Sequence, residues 1–587
     1  MRMTNGDTDK TWQVAPHTFA VGVGSFTKSL KHNQYGEVDT AQFLEFVAAT
    51  RGDGHGFATV PFGPERQPGK GGAAFTNPQA GLAADRLTHH PASYSMPPAP
   101  SVNSLSTAAE MVELYWMAIM RDIPFNELDW HKDAAEAAEE LNKVFDDALA
   151  HDDEVGRLRP GVDLPGHGST FIPFTSATLF RLGLPGDHIG PLLSQFFVRP
   201  AAFGTQTIDQ KQRPYAADCD FLTDFDDWLC AQNSGKDQHD QAYPDANEHG
   251  KSFYDKDGAR YISTMRDLAR FVNKDALHQA YFNAALILLS GKAKWTDGNP
   301  YSDIGRLKGR EAGFGVLGGP HILALVSEVA TRALKIVWNQ KWQVHLRLRP
   351  EAYGGLAHVQ SVGVNGVTRD YGLPDLLFES TAAERIKTKH GALLLPMAFT
   401  PGSPTHPAYG AGHATVAGAC VTVLKAYFKT FSMTSNKTVV PTPFCSLLER
   451  LEPGDEAIRP HGKPDEIKGY VTGQTANCDW ERIPLAKSVF DDLTIEGELN
   501  KLAENVAMGR SMGGVHWRTD NARSLMLGEA IAAEILADIT TDVNEKPEFT
   551  FRTFGRKADG EPAIVRIAHG RIYVDDILVD THGSSLL

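Results

Sequence analysis

Residues 406–413 read His406-Pro407-Ala408-Tyr409-Gly410-Ala411-Gly412-His413, and the chain then runs through Ala414, Val416, Ala419, Val423 and Leu424 to Phe428. The first part is a loop punctuated by proline and glycine. The second repeats small and apolar residues at helical spacing. A helix beginning at Gly412 is therefore expected, with close-approaching glycine amides and the positive end of the helix dipole at its mouth. His413 stands at that mouth.

Working outward, the helical period recurs. Helices are expected over Ser104–Met120, Asp133–Ala150, Ser263–Leu289, His321–Val337 and Thr519–Ile539, the last capped by an Asn or Thr. Alternation of strand type is confined to the tail, at Phe549–Arg552, Ile564–Ile567 and Gly570–Val574. The fold class expected is mainly α with a small C-terminal β ribbon. Residues 1–103 read as an N-terminal segment whose Gly/Pro-rich part, from residue 50, is a long surface excursion. Residues 104–545 read as the helical body and 546–587 as a β-ribbon tail packed on it. Gly69-Lys70-Gly71-Gly72 lacks the Gly-Lys-Ser/Thr and the preceding strand of a phosphate loop.

Bulk properties narrow the function. Lys plus Arg total 57 and Asp plus Glu 72, a formal charge of −15, in a chain of 587 residues. That balance disfavours nucleic acid and anionic membranes as partners. The five cysteines, Cys219, Cys230, Cys420, Cys445 and Cys478, are odd in number and form no Cys-x-x-Cys, so neither a disulfide framework nor a zinc site is indicated. No apolar run reaches the ~18 residues of a membrane span, and Met1 to Gln13 lacks the apolar centre of a secretory signal. A soluble, cytoplasmic protein is expected.

Against the acidic background, two further segments gather cations near histidines. Lys341-Trp342-Gln343-Val344-His345-Leu346-Arg347-Leu348-Arg349-Pro350 carries Lys341 and Arg349 eight residues apart. Arg510-Ser511-Met512-Gly513-Gly514-Val515-His516 leads to Asp520, four residues beyond His516 and so on one helical face with it. Arginine grips two oxyanion oxygens at once and lysine acts as a point charge. An imidazole that bonds a metal or oxyanion centre needs its second nitrogen anchored, and Asp520 is a candidate. Taken singly, each segment also reads as plain structure: a charge run with a proline stop, a helix start with a capping histidine, a capped loop-to-helix junction.

In that order and combination, Lys-x7-Arg-Pro, Gly-His opening a helix and Arg-x5-His-x3-Asp resemble the superfamily of vanadium-dependent haloperoxidases and type 2 acid phosphatases. The chain is similar above all to the bromoperoxidases of marine algae and related bacterial enzymes. Supporting stretches are Tyr115–Asp122, Phe203–Thr207 and Leu395–Phe399 ahead of Pro404-Thr405-His406-Pro407. The resemblance spans about residues 100–540. It implies two packed four-helix bundles, a vanadate cofactor, and oxidation of bromide, iodide or chloride by hydrogen peroxide to a hypohalous-acid equivalent that halogenates small organic substrates.

By that resemblance His516 is the ligand to vanadium. Lys341, Arg349, Arg510 and the Gly412 amide neutralise the cofactor oxygens. His413 is the acid–base, Lys341 also touches the bound peroxide, and His406 inclines the site towards bromide; His345 has no assigned role. A homo-oligomer built from dimers, up to a dodecamer, is implied, while calcium has no support in the sequence. The rival readings are an acid phosphatase on the same pocket and a non-catalytic anion-binding or assembly protein. The family pattern has Pro-Ser-Gly-His where this chain has Gly410-Ala411-Gly412-His413. A lost hydrogen bond to a charged group is worth roughly 1.5–3 kcal/mol, about tenfold or more in affinity unless something replaces it.

Overall fold

Two glycines decide how the central helices meet. In the computed structural model a Cβ at Gly418 would fall on the carbonyl oxygen of Leu525, and one at Gly528 on that of Thr415. The helices carrying them therefore cross backbone to backbone. The structure describes residues 13–14, 17–18, 22–52, 55–60, 63, 73–83, 90–151, 173–236, 253–447, 468–557 and 560–579.

The longer helices are α1 (Thr40–Arg51), α2 (Leu105–Ile119), α3 (Lys132–His151), α4 (Phe225–Ser234), α5 (Met265–Lys274) and α6 (Gln279–Ser290). They continue with α7 (Gly319–Asn339), α8 (Pro350–Ser361), α9 (Thr381–His390), α10 (Gly412–Tyr427), α11 (Ile495–Met512) and α12 (Arg518–Asp542). Hydroxyl and carboxylate caps start several of them: Ser104 accepts from Thr107, Thr264 from Asp267, Thr494 from Gly497 and Asp224 from Asp226. α10 is the core of the body, buried from Ala414 to Tyr427 and packed by α7, α11 and α12. No described helix is long and apolar enough to cross a membrane.

The tail forms a four-stranded antiparallel sheet of β1 (Phe549–Arg556), β2 (Pro562–Ala568), β3 (Arg571–Val574) and β4 (Ile577–Val579) in the order β4-β3-β2-β1. Val565 pairs with Phe551, and Ile567 with both Phe549 and Ile572. These residues form a buried face over α10 and α12, where Phe549 stacks on Tyr427 at 5.1 Å between centroids. Separate two-stranded hairpins such as Tyr470–Gln474 with Trp480–Pro484 accompany the helices.

Two expectations change. Ser263–Leu289 is two helices, because the chain turns to extended geometry at Asp275 (φ −64, ψ 149). α12 is capped by Trp517, whose amide donates to Asp520 at 3.0 Å, rather than by an Asn or Thr. The described part of the Gly/Pro-rich excursion has exposed residues such as Thr76 and Leu82 and is anchored at a few points: Tyr94 and Val102 are buried, and the carbonyls of Thr76, Gly81 and Tyr94 accept from Trp338, Asn339 and Gln340 at the end of α7. The N-terminal reading up to residue 12 and Gly69–Gly72 lie outside the described residues.

Candidate active site

α7 ends at Asn339 and widens into one π-helical turn, Gln340–His345, closed by Leu346 in the left-handed region at φ 47. In that turn Lys341 is fully buried, its Nζ donating to the carbonyls of Pro407 at 2.8 Å and Ala408 at 3.1 Å. Arg349 caps α8 in extended geometry, as the following Pro350 requires. Its Nε donates to His406 O at 2.9 Å, and one terminal nitrogen to Val515 O at 2.6 Å. The same terminal nitrogen lies 3.0 Å from His516 Nε2, and the other lies 2.8 Å from His406 Nδ1. One buried guanidinium thus ties together three segments remote in sequence.

The loop from α11 to α12 passes Gly514 at φ +83, a conformation glycine takes without strain, and delivers His516 into the interior. Arg510, in the last turn of α11, donates to Val272 O at 2.7 Å. Asp520 holds His516 through Nδ1 at 3.0 Å and accepts from Arg347 at 2.7 Å; Arg347 in turn reaches Glu110 at 3.1 Å. His516, Asp520, Arg347 and Glu110 are all buried, and each charge among them has a partner, which makes their burial tolerable.

Tautomers follow from donor chemistry. A guanidinium only donates, so His516 Nε2 and His406 Nδ1 are unprotonated and accept from Arg349. The His516 proton then sits on Nδ1, facing the Asp520 carboxylate. Burial, followed by the fields of Arg349, Lys341 and Arg510, holds His516 well below the usual imidazole range. Burial followed by Lys341, Arg349 and Arg510 does the same to His406. Lys341 is pushed down by burial first and by Arg349 next, against the pull of Asp520. The cluster is a cationic well around neutral imidazoles.

The start of α10 opens onto the same region. Its cap residue is Ala411, which has no side-chain acceptor, and among the described residues none accepts from the amides of Gly412, His413 or Ala414. Gly412 lies against Trp338, where a Cβ would come within 2.9 Å of the indole. Trp338 also stands 5.0 Å from the His406 ring and 5.4 Å from Lys341 Nζ. His413 is 19% exposed and lies 3.1 Å from Asp275 through Nε2. No group of three or more His, Cys, Asp or Glu side chains suited to a cation gathers among the described residues.

The structure therefore brings Lys341, Arg349, His406, Arg510 and His516 into one buried cluster. Gly412 lies beside it and His413 at its rim. His345 packs on Tyr409 instead, with ring centroids 4.5 Å apart. Sequence reasoning missed Asp275, Trp338, Arg347 and Ser524. Asp275 had a trace, as the only break in what read as one helix; Trp338 and Ser524 looked like ordinary helix residues.

No family model matches the chain. It is 34% identical over 599 residues to the vanadium-dependent bromoperoxidase of Corallina pilulifera, covering 91% of this chain and 90% of that protein. The vanadium-dependent bromoperoxidase of Ascophyllum nodosum is 32% identical over 561 residues, 94% of this chain and 87% of its own. The homohexameric structure of the second vanadate-dependent bromoperoxidase of Ascophyllum nodosum matches all of this chain (100%) and 89% of its own, with TM-score 0.74 and 25% identity. With this identity sustained along nine-tenths of its length, the chain belongs to the family of vanadium-dependent bromoperoxidases.

Proposed function

We propose that the buried cluster binds vanadate and uses hydrogen peroxide to oxidise bromide, the product halogenating small organic molecules. What carries this reading is the donor set. One neutral imidazole presents an unprotonated Nε2 that here accepts from Arg349, cations surround it, and three uncapped amides open α10. That set suits an oxyanion able to bond a single nitrogen, and the bromoperoxidase names of the relatives support the same group.

When bound, vanadate supplies Lewis acidity that activates peroxide towards a halide. His516 Nε2 would hold it, with Nδ1 anchored by Asp520. Lys341, Arg349, Arg510 and the Gly412 amide would neutralise its oxygens, as preorganised donors in a dry site do. Arg349 would turn part of its donor set from His516 to the anion. Asp275 accepts from His413 Nε2, so Nδ1 of His413 is the atom that takes a proton from incoming peroxide and later returns it. Lys341 would supply a fixed donor beside the bound oxidant. His406, against Trp338, inclines the choice towards bromide.

The same reading takes the chain as two four-helix bundles and as a homo-oligomer. Support for the oligomer is the homohexamer of the Ascophyllum enzyme. Purified protein reconstituted with orthovanadate should brominate monochlorodimedone when given peroxide and bromide. Hydrolysis of p-nitrophenyl phosphate with no bromination under any halide would replace this reading with the phosphatase.

A further inference from the structure

Ala411 leaves the first turn of α10 without a side-chain cap, yet the turn is held from outside. The Ala411 amide donates to Ser524 Oγ at 2.7 Å, and Ser524 is fully buried in the second turn of α12. Gly410 is what lets the hydroxyl come so close. A Cβ there would lie 2.9 Å from Ser524 Oγ, and equally 2.9 Å from Met96 Sδ and Val337 Cγ2.

The family pattern places Pro-Ser where this chain has Gly410-Ala411. Any residue with a Cβ at 410, proline included, would crowd the serine of α12, so Gly410 and Ser524 form a matched pair. Ser524 also lies four residues after Asp520, on the same face of α12, and Asp520 anchors His516. The bond from Ala411 to Ser524 therefore links the turn bearing the Gly412 amide to the helix that holds the imidazole.

We propose that Ser524 is a positioning residue of the oxyanion pocket: through the Ala411 amide it fixes the Gly412 amide relative to His516, and so offsets part of what the hydroxyl missing at 411 would contribute. This rests on the vanadate reading above. A buried amide that loses its acceptor swings or recruits water, and either change spoils the alignment of its neighbour.

The test is calorimetric titration of the full chain with orthovanadate, and with inorganic phosphate as a second oxyanion, in wild type, Ser524→Ala and Ser524→Thr. Hydrogen exchange of the Ala411 amide is followed in parallel. Ser524→Ala should weaken both anions by about 3- to 10-fold, the worth of one hydrogen bond, and speed exchange at Ala411. Ser524→Thr keeps the hydroxyl and should restore affinity to within about twofold. Wild-type affinity in Ser524→Ala, or a loss in Ser524→Thr as large as in Ser524→Ala, overturns the positioning role alone. A wild type that binds neither anion removes the vanadate reading and this inference together.

Discussion

Arg349 donates to Nε2 of His516 across 3.0 Å while Asp520 holds Nδ1 of the same ring at 3.0 Å from the other side. The ring is thus locked in one tautomer and one orientation, with its lone pair turned to the cations. The cluster's side chains are held in place by the protein's own contacts, and only part of the Arg349 donor set would have to turn towards an anion.

Asp520 serves three partners: it anchors His516, accepts from Arg347 and accepts from the Trp517 amide that starts α12. Asp520→Asn should lower vanadate affinity about 10- to 100-fold, the usual cost of losing an outer partner of a ligating histidine. It also leaves Arg347 without one of its buried counter-ions, so urea unfolding should show a loss of about 3 kcal/mol or more. Equal affinity in the variant would mean that Asp520 serves the fold alone.

His413 and Asp275 should separate binding from turnover. Asp275→Asn leaves the cationic cluster intact, so vanadate affinity should stay within a few-fold. The bromination kcat should fall by about 10²-fold, with the pH profile altered, as expected when a general base loses its anchor. A change in affinity with unchanged kcat would contradict the division of labour.

Restoring the family serine is the simplest gain-of-function test. Ala411 is fully buried at the cap of α10, beside three amides without an acceptor. Ala411→Ser should tighten orthovanadate binding by about tenfold, the worth of one hydrogen bond to a charged group, measured by titration. Unchanged affinity would show that the hydroxyl's place is already filled.

Two buried histidines away from the cluster set a limit on acid stability. His345 is held down to about 3 and His32 to about 4, each chiefly by burial, against 6.5 in the unfolded chain. Below pH 6.5 the unfolded chain binds these protons and the folded chain does not. Stability is therefore full above pH 6.5 and falls as pH drops towards 4, by about 1.4 kcal/mol per pH unit per histidine. Urea unfolding at pH 7.5 and 5.0 should show this slope, and His345→Phe should flatten it.

Much of this was legible in the chain. The start of α10 at Gly412, the α2, α3 and α7 patterns and the tail strands all follow from periodicity. Lys341, Arg349, Arg510 and His516 come from the family resemblance that their three segments carry in combination; singly, each segment reads as plain structure. α11 was not legible, because its charged residues are buried as pairs such as Glu498 with Lys501 at 2.7 Å, so no polar face marks it as a helix. Asp275 and Ser524 reach the site only through tertiary contacts 138 and 113 residues distant in sequence. That the carbonyls of Thr76, Gly81 and Tyr94 anchor on the end of α7 is a tertiary contact, which composition cannot show.

If His516 carries the cofactor of a bromide-oxidising enzyme, vanadium retention and bromination depend on it together. The most direct measurement is vanadium content per chain after reconstitution and desalting, taken with bromination of monochlorodimedone, in wild type and His516→Ala. Wild type should retain one vanadium per chain, with bromination that saturates as vanadate is added, and His516→Ala should show neither. Bromination independent of vanadate, or vanadium retained in full by His516→Ala, would contradict that dependence.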